Sequence, residues 1–266
     1  MVKISLVVIT FNEAQNIRRC LESVNGIADE MLVVDSVSTD ETAEIARSMG
    51  ARVISQPFLG YVAQKRFAIE QASCPIVLSL DADEALSETL RQSILAVKAN
   101  WRCDCYEMNR LSNIGGKWIR HGGWYPDRKM RLFDRKKYEI AGIDPHDKFV
   151  PLPGARYGRL GGDILHYTNA DISSRVSTVN RFSTLAAQAF HDRGRRGSWL
   201  RLLFKPFFRF FVEYFIRRGF LDGFYGFIIA ITSAQYVFLR EAKLLEIRKN
   251  GIKASKQDPV GIGSKI

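Results

Sequence analysis

Three short, almost unbroken apolar runs, 5–10, 31–34 and 76–80, stand near the head of this chain, and each ends in a polar cluster. The clusters are Phe11-Asn12-Glu13, Asp35-Ser36-Val37-Ser38 and Asp81-Ala82-Asp83-Glu84. A half-exposed strand alternates apolar and polar residues. A run without alternation is buried on both faces, the condition of a parallel strand sandwiched between helices. The segments between the runs carry the matching pattern. Ile17, Cys20, Leu21 and Val24 fall at i, i+3, i+4 and i+7, one face of a helix. Ser38 and Glu41 have the spacing of a capping box, which predicts a helix running through Met49. A third strand is expected over 52–55, a third helix over 62–72, and a helix capped by Ser87 and reaching Asn100. The fold class is therefore α/β, a mostly parallel sheet flanked by helices.

From 106 to 167 the pattern changes to short strands, 130–133 and 164–167 among them, between polar or Gly-rich loops. This predicts a mixed sheet with antiparallel edges. A helix is expected over 172–191, and Gly194-Arg195-Arg196-Gly197 breaks the chain after it. Charge divides at the same place. Residues 1–190 hold 24 Lys and Arg against 22 Asp and Glu, whereas 191–266 hold 15 against 6, so the net +11 is a C-terminal property. The basic region is also rich in rings, including Trp199, Phe204, Phe207, Phe208 and Phe211. Cations mixed with so much uninterrupted hydrophobe fit an anionic membrane surface rather than a nucleic-acid groove. Arg201, Lys205, Arg209, Glu213 and Arg217 recur every four residues beside a wide apolar face, with Pro206 expected to start or kink a helix. The stretch 223–239 is uncharged but shorter than the about 20 residues a bilayer span needs, so an interfacial or re-entrant hairpin is expected. Packing on the rest of the protein, or a homo-oligomer interface, is the alternative. The expected domains are 1–192, an α/β catalytic domain; 193–250, a helical appendage; and 251–266, a loose tail. Four cysteines without paired C-x-x-C spacing point to a reducing compartment, and the N-terminus reads as a first strand rather than a signal segment.

In open α/β sheets, ligands bind beyond the carboxyl ends of the strands where the strand order reverses. The three polar clusters fall on that rim. Two carboxylates at i and i+2, Asp81 and Asp83, can turn toward one hard cation that keeps positions for substrate phosphates; the plainer alternative is a solvated acidic turn.

Those residues carry a resemblance. Val7-Val8-Ile9-Thr10-Phe11-Asn12-Glu13, Asp35-Ser36-Val37-Ser38-Thr39-Asp40 and Leu80-Asp81-Ala82-Asp83-Glu84 stand in the order found in glycosyltransferases of family 2, whose GT-A fold is Rossmann-like. Gly123-Trp124-Tyr125-Pro126-Asp127, Arg131-Leu132-Phe133, Asp144-Pro145-His146-Asp147, His166-Tyr167 and Gly219-Phe220-Leu221-Asp222-Gly223 extend it toward the lipopolysaccharide-core β-1,4-glucosyltransferase-like branch. The resemblance implies that Thr10, Asn12 and Glu13 surround a nucleotide base and ribose, with Asp35 on the uridine. It implies a basic residue, Lys65 or Arg66, near the nucleotide, and Mg²⁺ or Mn²⁺ held by Asp83 with Asp81 in support. His166 is a third metal ligand or a diphosphate contact, or else a buried structural histidine. The acceptor-side base is placed at Asp147, with Asp144 as its rival and His146 orienting the sugar or making a local hydrogen bond. Trp124, Tyr125, Asp127 and Arg131 are expected at the acceptor, Trp124 alternatively in the core. Arg128, Lys129 and Arg131 are expected to meet phosphorylated core sugar or to form a solvated face.

The function implied is inverting transfer of a hexose, glucose by resemblance, from a UDP-sugar to a lipid-linked saccharide at the cytoplasmic face of a bacterial inner membrane. The rivals are a polyprenyl-phosphate sugar transferase and a non-catalytic nucleotide-binding scaffold.

Overall fold

The computed structural model describes residues 1–141, 148–168 and 171–250. In chain order the elements are β1 (Ile4–Thr10), α1 (Ile17–Glu22), β2 (Glu30–Asp35), α2 (Thr42–Ser48), β3 (Arg52–Ser55), α3 (Tyr61–Glu70), β4 (Ile76–Asp81), β5 (Glu84–Leu86) and α4 (Glu88–Ala99). Then come β6 (Cys105–Ile114), β7 (Lys117–Trp118), β8 (Asp127–Asp134), β9 (Tyr138–Ala141), β10 (Lys148–Pro151), β11 (Tyr157–Tyr167), α5 (Ile172–Asp192), α6 (Trp199–Phe211) and α7 (Gly223–Asn250).

Among the described residues, the main sheet runs β3-β2-β1-β4-β8-β6-β11-β5, with β7 against the end of β6. The pairs β2–β3, β1–β2 and β1–β4 are parallel. From β4 onward the pairs β4–β8, β6–β8 and β5–β11 are antiparallel. Both parts match the expected mixed sheet. Every residue of β1 is buried, because α1, α2 and α4 cover one face and α3 the other. Ser87 caps α4 as expected, its hydroxyl accepting from Leu90 N at 3.3 Å.

Two compact units are present. The first comprises Met1–Leu111 and Asp127–His166 and contains the parallel strands. The second comprises Ser112–Pro126 and, among the described residues, those from Tyr167 to Asn250. In the second unit α5 lays the stripe Val179, Ser183 and Ala187 into the interior. Lys243 Nζ on α7 lies 2.8 Å from each of Asn180 O, Asn180 Oδ1, Ser183 Oγ and Thr184 Oγ1 of α5, among which its three N–H bonds are shared. Asp222 accepts the backbone N–H of Arg120 and His121 and lies 3.0 Å from His121 Nδ1.

α6 is different: of its residues only Leu202 is buried, and Phe207 is 77% exposed. Pro206 neither starts this helix nor ends it, but lies inside it. A π-helical turn, Val212–Ile216, follows directly. The uncharged stretch read as too short for a span lies within the 28 residues of α7. By length and composition the segment Gly219–Lys249 is long and apolar enough to cross a membrane.

Candidate active site

Strand order sets the geometry of the rim. β1 lies between β2 and β4, so Thr10 is register partner to Asp35 on one side and Ile9 to Asp81 on the other. The loops after β1 and β2 are laced together. Asn12 N donates to Ser38 Oγ (2.9 Å), Ser38 N donates to Asp35 Oδ2 (2.9 Å), and Thr39 N donates to Asn12 Oδ1 (2.8 Å). The Ser38 hydroxyl donates to the second Asp35 oxygen. Ser38 therefore caps no helix. α2 begins only at Thr42, where Asp40 accepts the Thr42 N–H at 3.1 Å, so the S-x-x-E spacing is a correct motif serving a different turn. The lacing holds Asn12 and Val37 at φ +54° and +64°. Asn tolerates the left-handed region, whereas a β-branched residue there is strained, and such strain collects where ligands are bound.

Thr10 Oγ1 is buried at this rim with no hydrogen-bond partner among the described residues. An unsatisfied buried hydroxyl is costly, and a bound polar group would satisfy it. Glu13 is buried and accepts from Asn16 Nδ2 at 2.6 Å. Gln64, fully buried on α3, donates to Ser36 Oγ (3.2 Å) and Gln56 O (3.1 Å), fixing the loop behind Asp35.

At the end of β4 the two aspartates of the D-x-D have different surroundings. Asp81 lies 2.6 Å from Arg131 Nη2 and 3.9 Å from Lys65 Nζ. Burial pushes the Asp81 carboxyl up, but Arg131, Lys65 and Arg110 outweigh it and hold it well below the usual carboxylate range. Glu84, fully buried, accepts the Asp81 N–H (3.0 Å) and pairs with Arg131 (3.1 Å) and Arg110 (3.4 Å). Arg110 reaches on to Asp127 at 2.8 Å, and Lys129 to the other Asp127 oxygen at 3.1 Å. Asp83 instead faces His166, whose Nε2 is 3.2 Å from Asp83 Oδ2. β11 brings it there, since His166 is register partner to Glu84.

Among the described residues no group of three His, Cys, Asp or Glu is arranged to hold a metal ion. The donor set still fits one: a carboxylate and an imidazole offer two ligands, and Mg²⁺ or Mn²⁺ bound with a phosphate substrate needs few from the protein.

The candidate residues are not all brought together. Thr10, Asn12, Glu13, Asp35, Lys65, Asp81, Asp83 and His166 belong to the rim just described. Arg66, next to Lys65 in sequence, faces a separate cavity with Ile69, Glu70, Arg135 and Tyr138. Arg131 and Asp127 are engaged in the ion-pair network. Trp124 and Tyr125 belong to the second unit, where the Arg175 guanidinium lies 4.9 Å over the Trp124 ring and Trp124 packs against Ile114, Ile119 and Ile229. Asp144, His146 and Asp147 lie outside the described residues. Sequence reasoning assigned no role to Glu84 or Arg110. Glu84 directly follows the D-x-D, and an acid on a three-residue buried strand is a signal for a buried counter-ion.

Residues 5–150 match the family described as Glycosyl transferase family 2. An uncharacterized glycosyltransferase of Rickettsia typhi is 36% identical over 262 residues, 93% of this chain and 88% of that protein. Lipopolysaccharide core biosynthesis glycosyltransferase LpsC of Rhizobium meliloti is 32% identical over 269 residues, 94% of this chain and 94% of that protein. Among solved structures, glucosyl-3-phosphoglycerate synthase from Mycobacterium tuberculosis overlaps 43% of this chain and 45% of that chain, with 24% identity and TM-score 0.35. The chain belongs to glycosyltransferase family 2, and the mixed sheet flanked by helices expected from that resemblance is present.

Proposed function

We propose that this chain is an inverting glycosyltransferase that moves a hexose, glucose by resemblance, from a UDP-sugar to a lipid-linked saccharide of lipopolysaccharide core or a related envelope glycan. The observation that carries the reading is the rim itself. An unsatisfied Thr10 hydroxyl, the laced Asp35 loop and the Asp83–His166 pair stand side by side at the strand-order reversal of a family 2 chain. In this reading Thr10, Asn12, Glu13 and Asp35 bind the nucleoside. Asp83 and His166 would hold Mg²⁺ or Mn²⁺, which when bound supplies Lewis-acid stabilisation of the departing diphosphate. Lys65 adds a fixed positive charge on the same side. Asp147, or Asp144 in its place, takes the acceptor hydroxyl's proton on the opposite face, as inversion requires.

The identity with LpsC over most of both chains supports a core saccharide as acceptor. A lipid-linked acceptor also accounts for the exposed rings of α6, Trp199, Phe204, Phe207 and Phe208, each at least 65% exposed. These would enter the interface of an anionic membrane on its cytoplasmic side, with Arg201, Lys205 and Arg209 meeting headgroups. The test is transfer of labelled hexose from UDP-glucose and UDP-galactose, with Mn²⁺, to lipopolysaccharide truncated at inner-core heptose. Transfer lost in Asp83→Asn supports the reading. No transfer from either donor, with no UDP-dependent rise in the thermal midpoint, removes it.

A further inference from the structure

Beside Asp81, on the side of β4 away from β1 and β2, the first unit contains a cavity of about 570 Å³. Among the residues that line it, six are cations: Lys65, Arg110, Arg128, Lys129, Arg131 and Lys148; two are carboxylates, Asp81 and Glu107. Such an imbalance in a confined space needs an explanation, and most of it is compensated locally. Arg131 and Lys65 face Asp81; Arg110 pairs with Glu84 and Asp127, and Lys129 with Asp127. Glu107 is taken by Arg159 at 2.7 Å and by the Tyr157 hydroxyl at 2.8 Å. Two cations remain. Arg128 and Lys148 form no ion pair among the described residues, Arg128 adding only a field on Glu107. Both line the cavity and are exposed. Burial and the Arg110 charge push the Lys129 ammonium below its ordinary range, as expected of a site with more positive charge than its own acids balance.

We infer that this cavity is a subsite for a phosphate monoester carried by the acceptor saccharide, with Arg128 and Lys148 as its recognition residues. The inference rests on the glycosyltransferase reading and names the chemistry of its acceptor. Two cations without an ion-pair partner among the described residues match one dianionic group. A guanidinium fork and an ammonium are the donors that hold a phosphate, by paired and by point-charge contacts respectively. The cavity meets the donor side at Asp81 and Lys65 and is otherwise walled by residues of β6, β8 and β10 and by Tyr157. Arg128 on β8 and Lys148 on β10 belong to that second part, whereas a nucleotide reaching from Asp35 to Asp83 lies along β2, β1 and β4. Phe149, Val150, Pro151 and Met130 supply an apolar wall against which a saccharide ring can pack.

The test titrates the whole chain, saturated with UDP and Mn²⁺, with mannose 6-phosphate, mannose and inorganic phosphate in separate calorimetric runs. The same runs are repeated on Arg128→Gln/Lys148→Gln, whose two exposed side chains pair with nothing buried. The expected result is that mannose 6-phosphate binds and mannose does not. The double variant should weaken mannose 6-phosphate by roughly tenfold or more, the scale of lost hydrogen bonds to a charged group, and leave UDP affinity within about twofold. Equal loss of UDP affinity in the variant would overturn the inference, since the cations would then serve the donor. Inorganic phosphate binding as tightly as the sugar phosphate overturns saccharide recognition, and no binding of mannose 6-phosphate overturns the subsite altogether. Failure of UDP to bind while mannose 6-phosphate still does would remove the transferase reading and leave the phosphate site standing.

Discussion

The Arg131 guanidinium lies 2.6 Å from Asp81 and, through the same nitrogen, 3.1 Å from the fully buried Glu84. One cation from β8 thus serves both an aspartate at the rim and a glutamate beneath it. The D-x-D is consequently asymmetric, since Asp81 is paired with Arg131 while the ion pair of Asp83 among the described residues is with the ring of His166. This supports Asp83 over Asp81 as the group left for a cation.

Arg131→Met should therefore act first on stability. It leaves Glu84 and Asp81 with one fewer buried counter-charge, and breaking a buried pair from one side costs about 3–5 kcal/mol. Urea unfolding measures the loss. Adding Glu84→Gln should recover part of it, and a double variant no better than the single would show that the charge was compensated elsewhere.

Asp83→Asn and His166→Gln should each weaken metal-dependent UDP binding by about 10–100-fold, the scale for altered ligand shells at metal sites, while metal-free UDP binding changes little. Calorimetry with and without Mn²⁺ separates the two. Equal effects in both conditions would assign the pair to the nucleotide instead.

Val37 is exposed and held at φ +64°. Val37→Gly should raise stability by about 1 kcal/mol by removing the left-handed penalty on a β-branched residue, partly offset by the entropy of Gly in the unfolded chain. The thermal midpoint checks the sign. A fall would mean that the Val37 side chain contributes more than its backbone costs.

Glu30 ties three strands together, accepting from Ser5 Oγ, from Arg52 Nη2 (2.8 Å) and from Ser73 N (2.7 Å) and Oγ (2.8 Å). Burial pushes its carboxyl up, but these hydrogen bonds bring it down to about 2. Because the folded value is depressed, the contribution is complete above the unfolded value of about 4.3 and is lost as pH falls from there toward 2. Glu30→Gln should cost about 2 kcal/mol at pH 7 and flatten the urea midpoint's dependence on pH across that window. An unchanged pH profile would remove Glu30 as its source.

Phe204→Ser/Phe207→Ser should reduce partition onto vesicles of phosphatidylglycerol and phosphatidylcholine by at least tenfold without altering the thermal midpoint. Both rings are largely exposed, and burying each in lipid is worth about 1.5–3 kcal/mol. Co-sedimentation gives the answer, and unchanged partition would leave the rings to a protein partner.

The sheet was legible because burial on both faces leaves its mark in composition. The runs before Asn12, Asp35 and Asp81 are apolar without alternation, and they became β1, β2 and β4 with those residues on or just past their ends. The stripe Ile17, Cys20, Leu21 and Val24 is buried for the same local reason, its last member in the turn that follows α1. Local pattern fails where two partners satisfy one motif. Ser38 has capping-box spacing, yet its hydroxyl goes to Asp35, a choice made by the approach of the β1 and β2 loops.

What the sequence by itself determined is the order of the parallel strands' polar ends and the family they belong to, because periodicity and short motifs are properties of neighbours in the chain. Only the tertiary structure decided which charges meet. Arg131 comes to Asp81 across 50 residues, and His166 to Asp83 across 83, since β8 and β11 enter the sheet antiparallel at positions set by packing of the whole. The same packing turned Lys65 toward Asp81 and its neighbour Arg66 toward another cavity. On a helix adjacent residues point about 100° apart, and nothing in two consecutive basic residues says which of them faces the site.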